Sequence, residues 1–307
     1  MLIGIFICTF NRNKQLINLL NSILISLEKF KNECPDSEVH VEINIIDNSV
    51  DKHAYSAIKY YNKFQNIFYY NETKRGISFA RNKAIAIAKE KKLDYMIFLD
   101  DDEIVSEQWF FELIKKVKKY PNKIISGPVV RSYEEGIDEW VKASRLWERK
   151  NFEDECTLDF CGTGNVCIPL AILLETNQIF DIEFAKSGGE DTKFFYELVK
   201  KGYKIIWCRQ AIVYEPLVKE RATIKYLIRN EFRNGANYTR LRFVYEDNRK
   251  SYKIIGFLKA LVHIVVSLLL VFPAVFMGRK FLIKNILRFS KGLGQMCGLF
   301  NISINHY

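Results

Sequence analysis

No aspartate or glutamate occurs from Arg249 to the end of this 307-residue chain, although nine lysines and arginines do. The formal net charge of +10 is therefore a property of the tail. The first 248 residues carry 37 positive against 36 negative charges. That near balance argues against nucleic acid as a partner and for an anionic membrane surface beside the tail. Cysteine is sparse and poorly spaced for a metal. Of seven, only Cys156, Cys161 and Cys167 gather, with four and five residues between them and no histidine nearby, which is no zinc pattern. Such thiols read as reduced, cytosolic and partly core. A basic leader is missing as well: Leu2–Cys8 is apolar but too short for a secretory signal, so the chemistry is expected in the cytosol. There is no internal repeat and no low-complexity linker. With six prolines and fifteen glycines, the composition is that of an ordinary globular protein, long enough for one large domain or two.

What the sequence does contain is alternation. LIGIFICT, VHVEINIIDNS, NIFYY and DYMIFLD read as buried strands. Between and after them, RNKQLINLLNSILISLEKF, ISFARNKAIAIAKEKK and SEQWFFELIKKVKKY carry apolar residues at helical spacing, the last with Ser106 as its expected cap. This spacing predicts an α/β fold with a mostly parallel sheet covered on both faces. In such sheets ligands bind beyond the carboxyl ends of the strands. Three of those ends are polar: Thr9 to Arg12, Asp47 to Ser49, and Asp100 to Glu103. They are expected to converge on one crevice. Past Lys123 the alternation loosens: KIISGPVV, GNVCIPL, YKIIWC and AIVYE read as further strands, and GGEDTKFFYELVKKG as a helix ended by Gly202.

FLDDDE is the stretch with the most to explain, since four adjacent carboxylates repel one another and Ser106 suffices as a cap. Hard divalent cations bind carboxylate oxygens, and Mg²⁺ or Mn²⁺ bridges one or two of them to substrate phosphates. On an extended segment Asp100 and Asp102 would face one way and Asp101 the other. A metal–diphosphate clamp is therefore expected, the alternative being a solvated turn.

The tail differs in kind. Ala260–Gly278 is a run of 19 residues without fixed charge, in which only His263 and Ser267 are notably polar. Its length just suffices to span a bilayer. Basic residues flank both ends, however, against the positive-inside tendency, and Pro273 interrupts it. A helix pair lying on the cytoplasmic leaflet is the expectation, with a true span or a buried core hairpin as alternatives. Residues 1–248 are then a catalytic domain and 249–307 a membrane-associated segment whose removal should release the protein from membranes.

CTFNR, DNS, RGISFARN, LDDDE and GGEDTKFF, in this order, resemble the family 2 glycosyltransferases of the GT-A fold, over roughly residues 1 to 245. The likeness is to bacterial enzymes that build exopolysaccharide or lipid-linked oligosaccharides, including the succinoglycan type. It implies an inverting, Mn²⁺- or Mg²⁺-dependent transfer from a nucleotide-diphosphate sugar, UDP-sugar foremost, to a saccharide or polyprenyl-linked acceptor. Carried over by motif, the donor-binding residues are Thr9, Asn11, Arg12, Asp47, Arg75, Arg81, Asn82, Asp100 and Asp101. The metal ligands are Asp100, Asp102 and Glu215; the catalytic base is Asp191; Glu190, Gly164 and Asn165 meet the acceptor. Each has a plainer alternative: Asp47 in a turn with Asn48, Arg75 and Arg81 as exposed charges, Glu190 and Asp191 as helix caps, Glu215 as a surface carboxylate or a partner of Arg221. One departure is the absence of the late-strand histidine that many relatives carry as a metal ligand, Glu215 standing near its place.

Two other classes compete. A nucleotidyltransferase would want a Gly-rich loop after the first strand, and CTFNRNK has no glycine. A non-catalytic sugar- or membrane-binding module on the same fold is countered by the retained Asp100, Asp102 and Asp191.

Overall fold

Four apolar runs form one half of an eight-stranded sheet. The computed structural model describes residues 1–185, 188–245 and 249–300, with the backbone alone at 62, 63, 241–245 and 249–252. Strands β1 (Leu2–Thr9), β2 (His40–Asp47), β3 (Ile67–Asn71) and β4 (Tyr95–Asp100) run parallel in the order β3-β2-β1-β4. Their crossovers are α1 (Asn13–Glu33), the short α2 (His53–Ile58) and α3 (Ile77–Glu90). After β4 come β5 (Ile104–Val105), α4 (Trp109–Lys119), β6 (Ile124–Ser126), β7 (Val129–Tyr133) and α5 (Glu139–Ser144). Then follow β8 (Thr157–Leu158), β9 (Val166–Pro169), α6 (Leu170–Thr176), α7 (Glu190–Lys200), β10 (Ile205–Trp207) and β11 (Val213–Leu217). The sheet continues past β4 through β9, β6, β10 and β8, with β9 antiparallel to both its neighbours. A second sheet holds β5-β11-β7.

Period-two alternation in the strands divides the core between the two sheet faces. Ile3, Ile5 and Ile7 join Leu16, Leu19 and Leu20 of α1 and Trp109, Phe110 and Leu113 of α4 on one side. Phe6 points the other way, among Ala80, Ala84 and Ala88 of α3. Full burial of each large side chain contributes roughly 1.5–3 kcal/mol, so the two layers fix the strands' register. Thr9 is thereby paired with Asp47, and Cys8 with Asp100. The three polar strand ends share one level, as the sequence led us to expect.

Two local expectations are corrected. KIISGPVV is not one strand: it breaks at Gly127-Pro128, where proline lacks a ladder donor, and its halves join different sheets. Ser106 does not cap α4, which starts at Trp109. Instead Ser26 Oγ of α1 accepts from the Phe110 N–H at 3.1 Å, a tertiary contact standing in for a local cap. Gly202, with φ +93°, does end α7's segment.

The chain divides into two compact units. One holds Met1–Ser132, Arg149–Ala185 and Glu190–Pro216, with the eight-stranded sheet; the other holds Tyr133–Glu148 and the chain from Leu217 on. The second contains α8 (Ile224–Tyr245), α9 (Arg249–Phe276) and α10 (Arg279–Leu299). The expected boundary after residue 248 adjoins positions 246–248, which lie outside the described residues. Within α9, Lys253–Phe276 is long and apolar enough to cross a membrane, and most of its apolar side chains are exposed. It is therefore no buried core hairpin.

Candidate functional site

Strand β4 delivers the acids and then stops. Asp100 is its last residue, and Asp101 and Asp102 lie in the turn that follows, so the two-sided pattern expected of an extended Asp-x-Asp does not hold. Position relative to basic side chains sorts them instead. Arg12, just before α1, reaches Asp101 Oδ1 at 2.8 Å and Asp102 Oδ2 at 3.0 Å. Thr9 Oγ1 donates to Asp101 Oδ2 at 2.8 Å. Arg81, on α3, meets Asp100 Oδ1 at 3.3 Å and forms a close ion pair with Glu190 at the start of α7. Glu103, 1% exposed, folds back so that its Oε2 accepts the Asp100 N–H at 2.9 Å.

These acids are short of positive charge. Burial raises Asp101 to about 6, against the pull of Arg12. It also raises Asp100 and Glu103, and the carboxylates add to one another's shift: Asp102 and Glu215 act on Asp100, and Asp100 and Glu215 on Glu103. Arg81 is held more firmly protonated than usual: its burial opposes the charge, but Glu190 and Asp100 outweigh it. A cluster of hard oxygen donors that burial and mutual repulsion drive toward protonation fits a divalent cation. Among the described residues no three acidic, histidine or cysteine side chains form a ready metal cage. That too fits Mg²⁺ or Mn²⁺ held by one or two carboxylates and completed by substrate phosphates.

The segment before β9 bounds the cluster. A Cβ added at Gly164 would overlap Glu103 Oε1 and stand 3.2 Å from Asp100 Oδ2; one added at Gly162 would stand 3.4 Å from Asp191 Oδ2. Two glycines, two residues apart, thus border the β4 acids and Asp191, and at Gly164 the approach is close enough to exclude a side chain. Asp191 sits in the first turn of α7, where its Oδ1 accepts the Thr192 N–H at 2.6 Å, the helix-end contact expected as the plainer alternative. Gly188 and Gly189 precede it with positive φ.

Several expected contact residues prove to be spent on the fold. Asp47 is fully buried: its carboxylate accepts from the N–H groups of Ser49 and Ala54 and from Tyr69 OH, at 2.9–3.0 Å, which is the turn alternative. Asn82 exchanges two hydrogen bonds with the Phe180 backbone, at 2.7 and 2.8 Å, which occupy both ends of its amide. Asn165, also fully buried, accepts from Trp109 Nε1 and donates to the Pro128 and Ala211 carbonyls. No surface is left on it for an acceptor. Arg81 is buried rather than an exposed helix charge, and Glu190 faces it rather than solvent. Asn11 and Arg75 remain exposed beside the crevice, Asn11 with φ +55° and Arg75 over the Phe10 ring at 5.1 Å.

Glu215, on β11, is buried and not a surface carboxylate. It forms close ion pairs with Arg131 and Arg149. Arg149 acts electrostatically on Glu103, Asp100 and Asp102 as well, which places a half-exposed guanidinium beside the acids. Arg131 and Arg149 were not singled out from the sequence, and Glu103 was noted there without a role of its own. Glu103 had a signal, its membership of the acidic run; the two arginines belong to no motif.

Residues 4–175 match the family model described as Glycosyl transferase family 2. The succinoglycan biosynthesis protein ExoM of Rhizobium meliloti (strain 1021) is 29% identical over 187 residues, 57% of this chain and 56% of that protein, so the chain spans little more than half of its relative's length. Among solved structures, the mannosyltransferase PcManGT from Pyrobaculum calidifontis, in complex with GDP-Man and Mn²⁺, shares the fold. Its TM-score is 0.62 at 13% identity, covering 97% of this chain and 87% of that one. GalNAc-T7 with UDP, GalNAc and Mn²⁺ superposes with a TM-score of 0.59 at 17% identity, over 85% of this chain and 50% of that one. At these identities the likeness is one of fold, the GT-A fold expected from the motifs.

Proposed function

The chain belongs to glycosyl transferase family 2, and we propose that it moves a sugar from a nucleotide-diphosphate donor, a UDP-sugar foremost, to a hydroxyl of a saccharide or polyprenyl-linked acceptor. The observation that carries this reading is the loop geometry: Gly164 against the β4 acids and Gly162 against Asp191, two residues apart. One backbone segment thus borders both groups, which supports a leaving-group site at the β4 acids and a base at Asp191. The relative in succinoglycan biosynthesis supports a polysaccharide or lipid-linked acceptor, and the nucleotide–Mn²⁺ complexes of the structural neighbours support the donor class.

Asp102, with Asp100 behind it, would hold Mn²⁺ or Mg²⁺. When bound, the ion supplies charge neutralisation to the diphosphate. Arg12 fixes Asp101 and Asp102, and Arg81 fixes Asp100, so the acids are oriented before substrate arrives. Asp191 takes the acceptor's hydroxyl proton. The acceptor oxygen bonds to the anomeric carbon from the face opposite the leaving oxygen, and the nucleoside diphosphate departs with the bonding pair, which inverts that carbon. Asn11 and Arg75, both exposed, would meet the nucleotide. We place the reaction at the cytoplasmic face of the cell membrane, through the exposed apolar side chains of α9 and the basic residues around it.

The test is release of nucleoside diphosphate from a panel of UDP-, GDP- and dTDP-sugars by protein purified in mild detergent, with Mn²⁺, Mg²⁺ or EDTA. Release from one donor that needs the metal and is lost in Asp102→Asn is expected. No release, together with no metal-dependent binding of any nucleoside diphosphate, would overturn the proposal in favour of a non-catalytic module.

A further inference from the structure

Resting on that membrane placement, we infer that α9 lies in the plane of an anionic lipid surface, with its exposed side chains in the acyl boundary, and does not cross the bilayer. Helix α9 turns one narrow stripe inward: Ala260, Ser267 and Ala274, spaced by seven residues, are buried. The stripe's centre is occupied by α10. Asn285 Nδ2 donates to the Ser267 carbonyl at 2.7 Å, His263 Nδ1 lies 3.0 Å from Gln295 Oε1, and a Cβ at Gly292 would stand 3.1 Å from the Ala260 carbonyl. Helix α10 therefore runs antiparallel along the middle of the apolar run.

That pairing decides the orientation. Lys284 and Arg288 are exposed on the stretch of α10 that flanks this middle. On its other side α10 meets α8 backbone to backbone: at Gly235, Gly294 and Gly298 an added Cβ would overlap the carbonyls of Lys291, Phe232 and Ala236. A crossing α9 would carry Lys284 and Arg288 to hydrocarbon depth, where charged side chains are expelled. It would draw α8, with Arg229, Glu231 and Arg233, after them. Lying flat, the same helices keep these charges at headgroup level while Leu269, Phe272 and Phe276, each more than 70% exposed, enter the lipid. The occupant is anionic lipid because the chain from Arg249 on presents nine positive charges and no negative one.

The experiment uses the full chain. Flotation with sealed vesicles of 30% phosphatidylglycerol in phosphatidylcholine is compared with pure phosphatidylcholine. Variants are Leu269→Glu/Phe272→Glu, both surface positions, and Lys284→Cys, probed with a membrane-impermeant maleimide added outside against the wild-type background. The expected result has three parts: flotation at least tenfold stronger with the anionic vesicles, its loss in the double variant with an unchanged melting curve, and labelling of Lys284→Cys from outside. If the protein floats but Lys284→Cys reacts only after detergent opens the vesicles, α9 spans; the in-plane inference falls and the membrane placement stands. If nothing floats, the placement itself falls. Dimerisation abolished by the double variant would then show that a second copy covers α9.

Discussion

Replacing Arg81 by methionine, similar in length but uncharged, tests the electrostatic architecture of the site most directly. Arg81 is 6% exposed and joins two acids from different elements, Asp100 of β4 and Glu190 of α7. Glu190 is as buried as its partner, and its Oε2 already lacks a hydrogen-bond partner. Removing one member of a buried pair leaves an uncompensated charge, at a cost of about 3–5 kcal/mol. Against a total stability of roughly 5–15 kcal/mol this is a large fraction, and for a chain of this size it lowers the melting temperature by roughly 6–10 °C. The pH dependence makes the prediction specific. Burial raises Glu190 from its ordinary 4.5 to about 7, although Arg81 pulls it down. A raised folded-state value means that the protonated acid favours the fold below the unfolded carboxyl's range, and that this contribution is lost as pH climbs through the folded value. Without Arg81 the folded value moves higher still. Arg81→Met is therefore expected to cost little near pH 5 and the full amount at pH 8, and Glu190→Gln in the same background to recover most of the loss. Urea unfolding at both pH values, followed by circular dichroism, measures it. A loss under about 1 kcal/mol, or one equal at pH 5 and pH 8, would refute the buried pair as the element that sets the position of α7.

Asp191→Asn is expected to lower kcat by about 10²–10⁴ while nucleoside-diphosphate affinity stays within a factor of about three, since a base acts on the acceptor side; titration calorimetry separates the two, and an equal loss of affinity would count against the assignment. Asn165→Ala removes the partner of Trp109 Nε1 and of the buried Ala211 carbonyl, while the Pro128 carbonyl keeps the Val213 N–H, and is expected to cost roughly 3 kcal/mol in thermal unfolding, whereas a near-neutral effect would return Asn165 to the set of ligand contacts. Glu215→Gln loosens Arg131 and Arg149 but is expected to leave the Mn²⁺ concentration for half-maximal activity unchanged. A shift of tenfold or more would make Glu215 a metal ligand after all.

The parts of this molecule that were legible in the sequence are those governed by local periodicity. Buried parallel strands are nearly continuous apolar runs, so β1, β2, β3 and β4 announce themselves, and their polar ends follow from where each run stops. The helices between them show one apolar face, and Gly202 marks a stop that only a residue tolerating positive φ supplies easily. Ser106 misled because a capping residue in the right place is only a local opportunity. The free N–H of α4 was met instead by Ser26, 84 residues earlier in the chain. Short β6, β7 and β9 were blurred for a related reason: three to five residues carry too little pattern to reveal which sheet they join.

Residue type, by contrast, was a poor guide to which polar groups face a ligand. Asp47, Asn82 and Asn165 look like contact residues because carboxylates and amides at strand ends and loops so often are. Each is instead committed to partners 2 to 98 residues away that no spacing rule could name. The same blindness hid Arg131 and Arg149, whose importance arises only from meeting Glu215. The acidic run shows how far local and long-range readings can agree. Four adjacent carboxylates are tolerable because two distant arginines and the turn itself answer them: Arg12 holds Asp101 and Asp102, Arg81 holds Asp100, and the turn's own backbone holds Glu103. Burial first, and then the negative charge these partners leave over, push Asp100, Asp101 and Glu103 toward protonation. A fold that needed the run only for its own stability would do as well with fewer acids, because breaking even would require no surplus. The surplus is the property that a cation and a diphosphate can use, and it was visible, as four letters in a row, before any partner was known.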